Sequence, residues 1–252
     1  MGKIRSWVRG QKIRWLPVDG SLTIYILCFV GGCMECVSYL LLFHTLLGVM
    51  TVNTMAGIIG IASNTDLPVA ALHLSSVLAF LLTVLLHKVF SLKRRDMMHA
   101  EHTLSYVRLE FVIILLYACA ASYLYRHGYM QHPNIIVFSL VWVGSFALYL
   151  QNHVIQPAHP LPVSTIVMTG SYIALLTYST KIIVGPDNGA EPRVAIKHFL
   201  LVHFHFWGGV IAITCIYRYF DFMSLLLPCL ALGFLAWQIS PGPQNDRNVV
   251  ER

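Results

Sequence analysis

SLTIYILCFVGGCMECVSYLLLF, residues 21–43, decides the fold. It holds one charged side chain, Glu35, in a run that as a helix at 1.5 Å per residue spans about 34 Å, enough to cross a hydrocarbon core of about 30 Å. Lipid offers the backbone no hydrogen-bonding partner, so such a run is expected to be helical. A cleaved signal peptide has a shorter apolar core of about 7–15 residues and a small-residue exit, whereas this run continues to Phe43. The preceding stretch from Met1 to Asp19 carries Lys3, Arg5, Arg9, Lys12 and Arg14. The expectation is an uncleaved first span with its N-terminus in the cytoplasm.

The rest of the chain repeats that character. Of 252 residues, 57% are hydrophobic and only 11% charged, against about 25% in an ordinary soluble domain. Mean hydropathy is +0.68. That leaves too little polar surface to cover a water-soluble globule. Eight apolar segments appear: 21–43, 46–63, 68–90, 108–126, 134–156, 163–184, 197–217 and 222–239. The net charge of +6 would suit nucleic acid, but the basic residues gather beside the apolar runs, as topology determinants do, so no nucleic-acid partner is expected. The six cysteines lie within apolar runs, and the one C-x-x-C, Cys33 and Cys36, has no second pair. This points to small packing residues rather than a zinc site or disulfide framework.

Charge also tests how many segments cross. The second, GVMTVNTMAGIIGIAS, and the sixth, VSTIVMTGSYIALLTYST, are rich in Gly, Ser, Thr and Asn, as segments that break or pack closely often are. If all eight crossed, Lys88, Lys93, Arg94 and Arg95 would lie opposite the basic N-terminus. If those two are broken or re-entrant, the N-terminus, that loop, Lys181, Arg193, Lys197 and the tail with Arg247 and Arg252 share the inner side, leaving Arg126 and Arg218 outside. The expected fold is an all-α integral membrane protein with about six transmembrane helices and two broken or re-entrant segments. Residues 1–20 form a basic cytoplasmic segment, 21–240 one membrane domain and 241–252 a polar cytoplasmic tail.

Three crossings per half would set the halves in opposite orientations, and the halves do look related. VGGCMECVSYL precedes GVMTVNTM in the first, and FALYLQNHV precedes TIVMTGSYI in the second. Setting Met50-Thr51 on Met168-Thr169 brings Glu35, 15 residues before its Met, opposite Asn152, 16 before its own. Two inverted repeats, about 21–126 and 134–239, are therefore expected. Interrupted segments at matching positions are a pointer to a midplane binding site in secondary transporters.

The same residues carry a resemblance. Gly31, Gly32, Glu35, Ser38 and Tyr39, then M-T-x-N, then L-Q-N and M-T-G in the second half, resemble the YoaK family, a group of uncharacterised bacterial multi-pass inner-membrane proteins. The likeness runs over about residues 22–240 and implies a bacterial inner-membrane location and transport of a small metabolite. Glu35 stands where that group has Asp, which keeps the acid. Val52 stands where it has Gly, the one residue that readily takes positive φ.

Glu35 is the acid expected deep inside a span, where an ionised side chain costs about 2.5–3.5 kcal/mol on insertion scales. It can serve as a carboxylate that loads and releases a proton or cation, or as a hydrogen-bonded tie between helices. Thr51, Asn53, Thr54, Gln151, Asn152, Thr169 and Ser171 can line a polar substrate site at the broken segments, or simply join helices. In KHFLLVHFHFWGG, His198 and His205 share a helix face from which His203 is turned away. A metal or haem held by His198, His203 and His205 is the rival reading, but no cofactor is expected. No Ser-His-Asp order, phosphate loop or H-E-x-x-H occurs, so no catalytic residue is named. The leading expectation is a secondary transporter or exporter of a small polar metabolite, with that metabolite and membrane lipid as partners and a homo-oligomer left open. A membrane-embedded enzyme and a non-transporting scaffold or sensor stand as alternatives.

Overall fold

A computed structural model of the chain describes residues 20–93, 101–155, 164, 168–184 and 190–238. Among these there is no strand; the elements are α1 (Gly20–Leu41), α2 (Met50–Ala62), α3 (Leu67–Lys93), α4 (Glu101–Arg126), α5 (Ile135–Ile155), α6 (Thr169–Val184), α7 (Ala190–Phe220), a 3-10 segment (Asp221–Leu225) and α8 (Leu226–Gln238). Each of the eight apolar segments overlaps one of these α-helices. The basic N-terminal segment, Arg94, Arg95 and the polar tail lie outside the described residues.

Length separates the crossing helices from the others. Five stretches are long and apolar enough to span a membrane: Leu22–Leu41, Leu67–Val89, Leu104–Arg126, Ile135–Asn152 and Pro192–Gln238. The last is 47 residues, more than one passage needs, and it breaks at Asp221, whose φ is 49°. There Arg126 Nε at the end of α4 sits 3.4 Å from Asp221 Oδ2. Further along, Gly233 of α8 lies beside Phe111 of α4, so α8 runs back along α4. By contrast α2 and α6, at 13 and 16 residues, reach only about 20 and 24 Å. The chain is thus a multi-pass α-helical membrane protein in which α2 and α6 stand outside the five long apolar stretches, whereas α8, also 13 residues, lies within the last of them. Leu81, Leu85, Leu116, Ile173, Leu176 and Phe204 turn outward from the bundle, as lipid contact requires.

Helix α1 is the hub, with 67% of its apolar window buried against 28% for α3. The packing forms a closed ring in which α1 touches α5, α5 touches α4, α4 touches α8 and α8 touches α1. Two hairpins flank it: α3 packs on α2 and α5, and α7 packs on α6 and α1. Exchanging α1–α4 for α5–α8 turns each of these contacts into another of the same set.

The tightest approach is between α1 and α7. A methyl group on Gly32 would meet the carbonyl oxygen of Phe206, and one on Gly209 the carbonyl oxygen of Phe29. Hydrogen in place of a side chain lets the two backbones touch. The thiols of Cys33 and Cys36 seal the seam, pointing at the carbonyls of Gly209 and Val210 at 3.6 and 3.5 Å. All six cysteines are free thiols. Gly208, next to Gly209, has room: the nearest atom to a methyl group there stands 3.9 Å away.

Candidate functional site

The loop that opens α2 explains most of the polar residues nearby. After α1 the chain turns through Phe43 and His44 in the left-handed region, at φ 54° and 60°, a conformation that costs such residues roughly 1–3 kcal/mol each. It then descends until Leu47 N–H and Gly48 N–H donate to the two oxygens of Glu35, at 2.9 and 2.7 Å. Glu35 lies six residues before the end of α1, so the loop re-enters to about 9 Å below that end. From there α2 climbs away again, and α3 follows it after a four-residue turn.

Non-helical backbone at membrane depth survives only where its polar groups find partners. At Leu46 those partners come from α2 and α3. Leu46 N–H donates to Asn53 Oδ1 at 3.1 Å, and Asn53 Nδ2 donates to the carbonyl of Leu46 in a short contact. Ser76 of α3 donates to the same carbonyl at 3.0 Å and accepts from Asn53 Nδ2 at 2.9 Å. His73, one turn earlier on α3, lies 3.2 Å from Asn53 Oδ1. That oxygen can only accept, so Nδ1 carries the proton and Nε2 is left as the acceptor. Glu35, Asn53, His73 and Ser76 are all buried. The carboxylate also stands at the N-terminal end of α2, where the helix dipole favours negative charge.

The second half repeats one element of this cluster. Ser171, third in sequence after Met168 as Asn53 is after Met50, lies 3.2 Å from His203 Nε2 on the next helix. His203 Nδ1 donates to the carbonyl of Phe199 at 2.7 Å, so in the neutral ring Nε2 accepts from a hydroxyl. The Met168 carbonyl, 2.7 Å from the same hydroxyl, competes with the ring for its single proton. Thus each short helix is joined to the following long helix by one polar side chain and one buried histidine.

The remaining expected residues spread around these clusters. Thr51 and Thr54 line an open groove of about 480 Å³ with Met50, Met55, Ile58 and Ile59 on the outer side of α2. Thr169 is exposed at the first position of α6, and Asn152 is half-buried on α5. Gln151 is fully buried and its Nε2 donates to the carbonyl of Leu27 on α1 at 2.6 Å. The structure therefore groups Glu35 with Asn53 and places Ser171 on the other flank of the ring. The two Met-Thr helices each pack on the long helix that follows, not extensively on one another. Val52, where the likeness calls for glycine, sits inside α2 without positive φ, so no glycine geometry is required there.

The α7 histidines divide as their spacing requires. His198 Nδ1 lies 3.2 Å from the hydroxyl of Tyr25, and His205 stacks on the same ring at 5.1 Å, while His203 faces α6. Among the described residues no three His, Cys, Asp or Glu side chains converge to hold a metal ion.

Three participants escaped the sequence reading. His73 and Ser76 lie three apart on one face of α3, a weak signal that gains meaning only once α3 is paired with α2. Glu110 is the third, and it corrects the expectation that Glu35 is the one acid deep in a span. Its segment was read to begin at residue 108, but α4 begins at Glu101, so Glu110 lies more than two turns inside the helix and is fully buried.

Comparison with known families matches nearly this whole arrangement, residues 23–237, to a family described as a protein of unknown function, DUF1275. The chain belongs to the DUF1275 family. No curated protein and no solved structure matches it. Membership in DUF1275 covers both halves, from α1 to the last turn of α8, so both polar clusters fall within the family's shared region.

Proposed function

We propose that this DUF1275 protein is a secondary transporter or exporter of a small polar metabolite in a bacterial inner membrane, built from inverted repeats over about 21–126 and 134–239. The observation that carries the reading is the twin polar contact, Asn53 with His73 and Ser171 with His203, each at 3.2 Å and each joining a short helix to the next long one. Interrupted segments in corresponding positions of two halves are where secondary transporters hold substrate. The exchange of packing partners between the halves supports the same origin, and the YoaK resemblance points the same way.

In this reading α2 and α6 are the moving pieces, and Thr51, Asn53, Thr54, Thr169 and Ser171 meet the substrate in turn as each flank opens. Glu35, Gln151 and Asn152 hold the helices on which those groups ride. The test begins with untargeted metabolite comparison of cells with and without the gene, followed by uptake of the changed compounds into proteoliposomes. Uptake should fall at least tenfold in His73→Gln and in His203→Gln, with both variants remaining folded. No uptake of any changed compound by wild-type proteoliposomes would overturn the proposal.

A further inference from the structure

The ring α1, α5, α4, α8 encloses one interior, and that interior is polar where helix packing alone would make it apolar. Glu110 on α4 is fully buried and neither carboxyl oxygen has a hydrogen-bond partner. An uncompensated carboxylate in such a place costs several kcal/mol, and a group so placed takes up a proton instead. The neutral acid then has one O–H to donate, which needs an acceptor.

The fold supplies an acceptor at the same level. α4 and α5 are packed neighbours joined by the turn at 127–134, and residues 110 and 151 stand equally far from its middle. Gln151 is fully buried; its Nε2 is committed to Leu27, while its Oε1 has no partner. On α1, one turn before Leu27, the hydroxyl of Thr23 is likewise buried and unpartnered. Two turns further along α4 the hydroxyl of Tyr117 is unpartnered, as is Ser145 on α5.

We propose that Glu110 is a proton-binding site, held as the neutral acid at neutral pH with its O–H donated to Gln151 Oε1. Protonation forms the O–H bond on one carboxyl oxygen and requires no other reactant. Among the described residues no base or cation faces the site to hold the charged form. The titratable group nearest it from α8 is the Cys229 thiol, and α5 presents the neutral Gln151 and Ser145. Asp221 of the 3-10 segment is paired with Arg126 at the far end of α4. On α4 itself Arg108 points outward and Tyr117 is a neutral phenol. At Glu35, by contrast, two backbone N–H groups favour the charged form.

The inference stands apart from transport, because the proton is bound whether or not a metabolite moves. The test is infrared spectroscopy of the purified protein in lipid at neutral pH. The wild-type-minus-Glu110→Gln difference should contain the carbonyl band of a protonated carboxylic acid, whereas the corresponding Glu35→Gln difference should not. Gln151→Leu should move that band to higher frequency by removing its acceptor. Glu110→Asp, which retains the acid if the amide variant fails to fold, should displace the band without abolishing it. An ionised carboxylate band in place of the acid band in the Glu110→Gln difference would overturn the proposal. An acid band unmoved by Gln151→Leu would overturn the pairing with Gln151.

Discussion

At Glu35 two oxygens meet two backbone N–H groups, an arrangement only an acceptor on both sides can satisfy. In Glu35→Gln the carbonyl keeps one bond while the amide NH2 faces the other donor. We expect a loss of about 1–3 kcal/mol, the cost of an unsatisfied buried group, read as a lower Tm and faster thiol labelling of Gly48→Cys. Glu35→Asp should retain part of the stability, since the carboxylate survives with a shorter reach. An unchanged Tm in Glu35→Gln would remove the tie. Asn53→Ala should be at least as costly, because it frees the N–H of Leu46 and the Nδ1 of His73 and leaves the Leu46 carbonyl with Ser76 alone. The acid was legible in the sequence because it is the one charge in a largely apolar run of 23 residues. Its partners were not, since backbone N–H groups carry no residue identity. Glu110 escaped for a different reason: beside Arg108, it read as the interfacial start of a span, and only the true helix start at Glu101 sets it deep.

Among the elements, the α1–α7 seam is the contact least tolerant of added bulk. Gly32→Ala and Gly209→Ala each drive a methyl group onto a carbonyl oxygen of the facing backbone, which packed helices can relieve only by separating. Each should cost about 1–3 kcal/mol in thermal unfolding, and Gly208→Ala, which has room, much less. The double variant Gly32→Ala with Gly209→Ala should cost less than the sum, because a single separation of the helices accommodates both methyl groups. Strict additivity would show that the two glycines do not share one seam. Existence and order of all eight helices were readable, since apolar runs of that length allow little else. Which helix packs on which was not: the α1–α7 pairing joins residues over 170 positions apart, and matching glycine pairs are common in membrane helices.

For the whole molecule, α4 is long and apolar enough to cross, so the C-terminal end of α3 and the α4–α5 turn are expected on opposite faces of the membrane. Single cysteines at Ser91 and Gln131, in a background lacking the native cysteines, should therefore label from opposite sides. Labelling of Ser91→Cys from outside intact cells would reject the positive-inside orientation. The proposed repeat was visible only as two Met-Thr motifs and their preceding polar residues. The paired histidines that extend it, His73 and His203, sit at unequal distances from their motifs and so did not align by eye.

The central position of α1 bears on how the protein is made. α1 is synthesised before α7, and Gly32 finds its seat only after Gly209 has been added, 177 residues later. At about 5–20 residues per second, that is a wait of roughly 10–35 s. During it, the notch that will hold α7, with its two thiols, faces lipid or the insertion machinery. A chain that stops after α6 never closes that notch, so truncated products should be recognisable to membrane quality control by an open first helix alone.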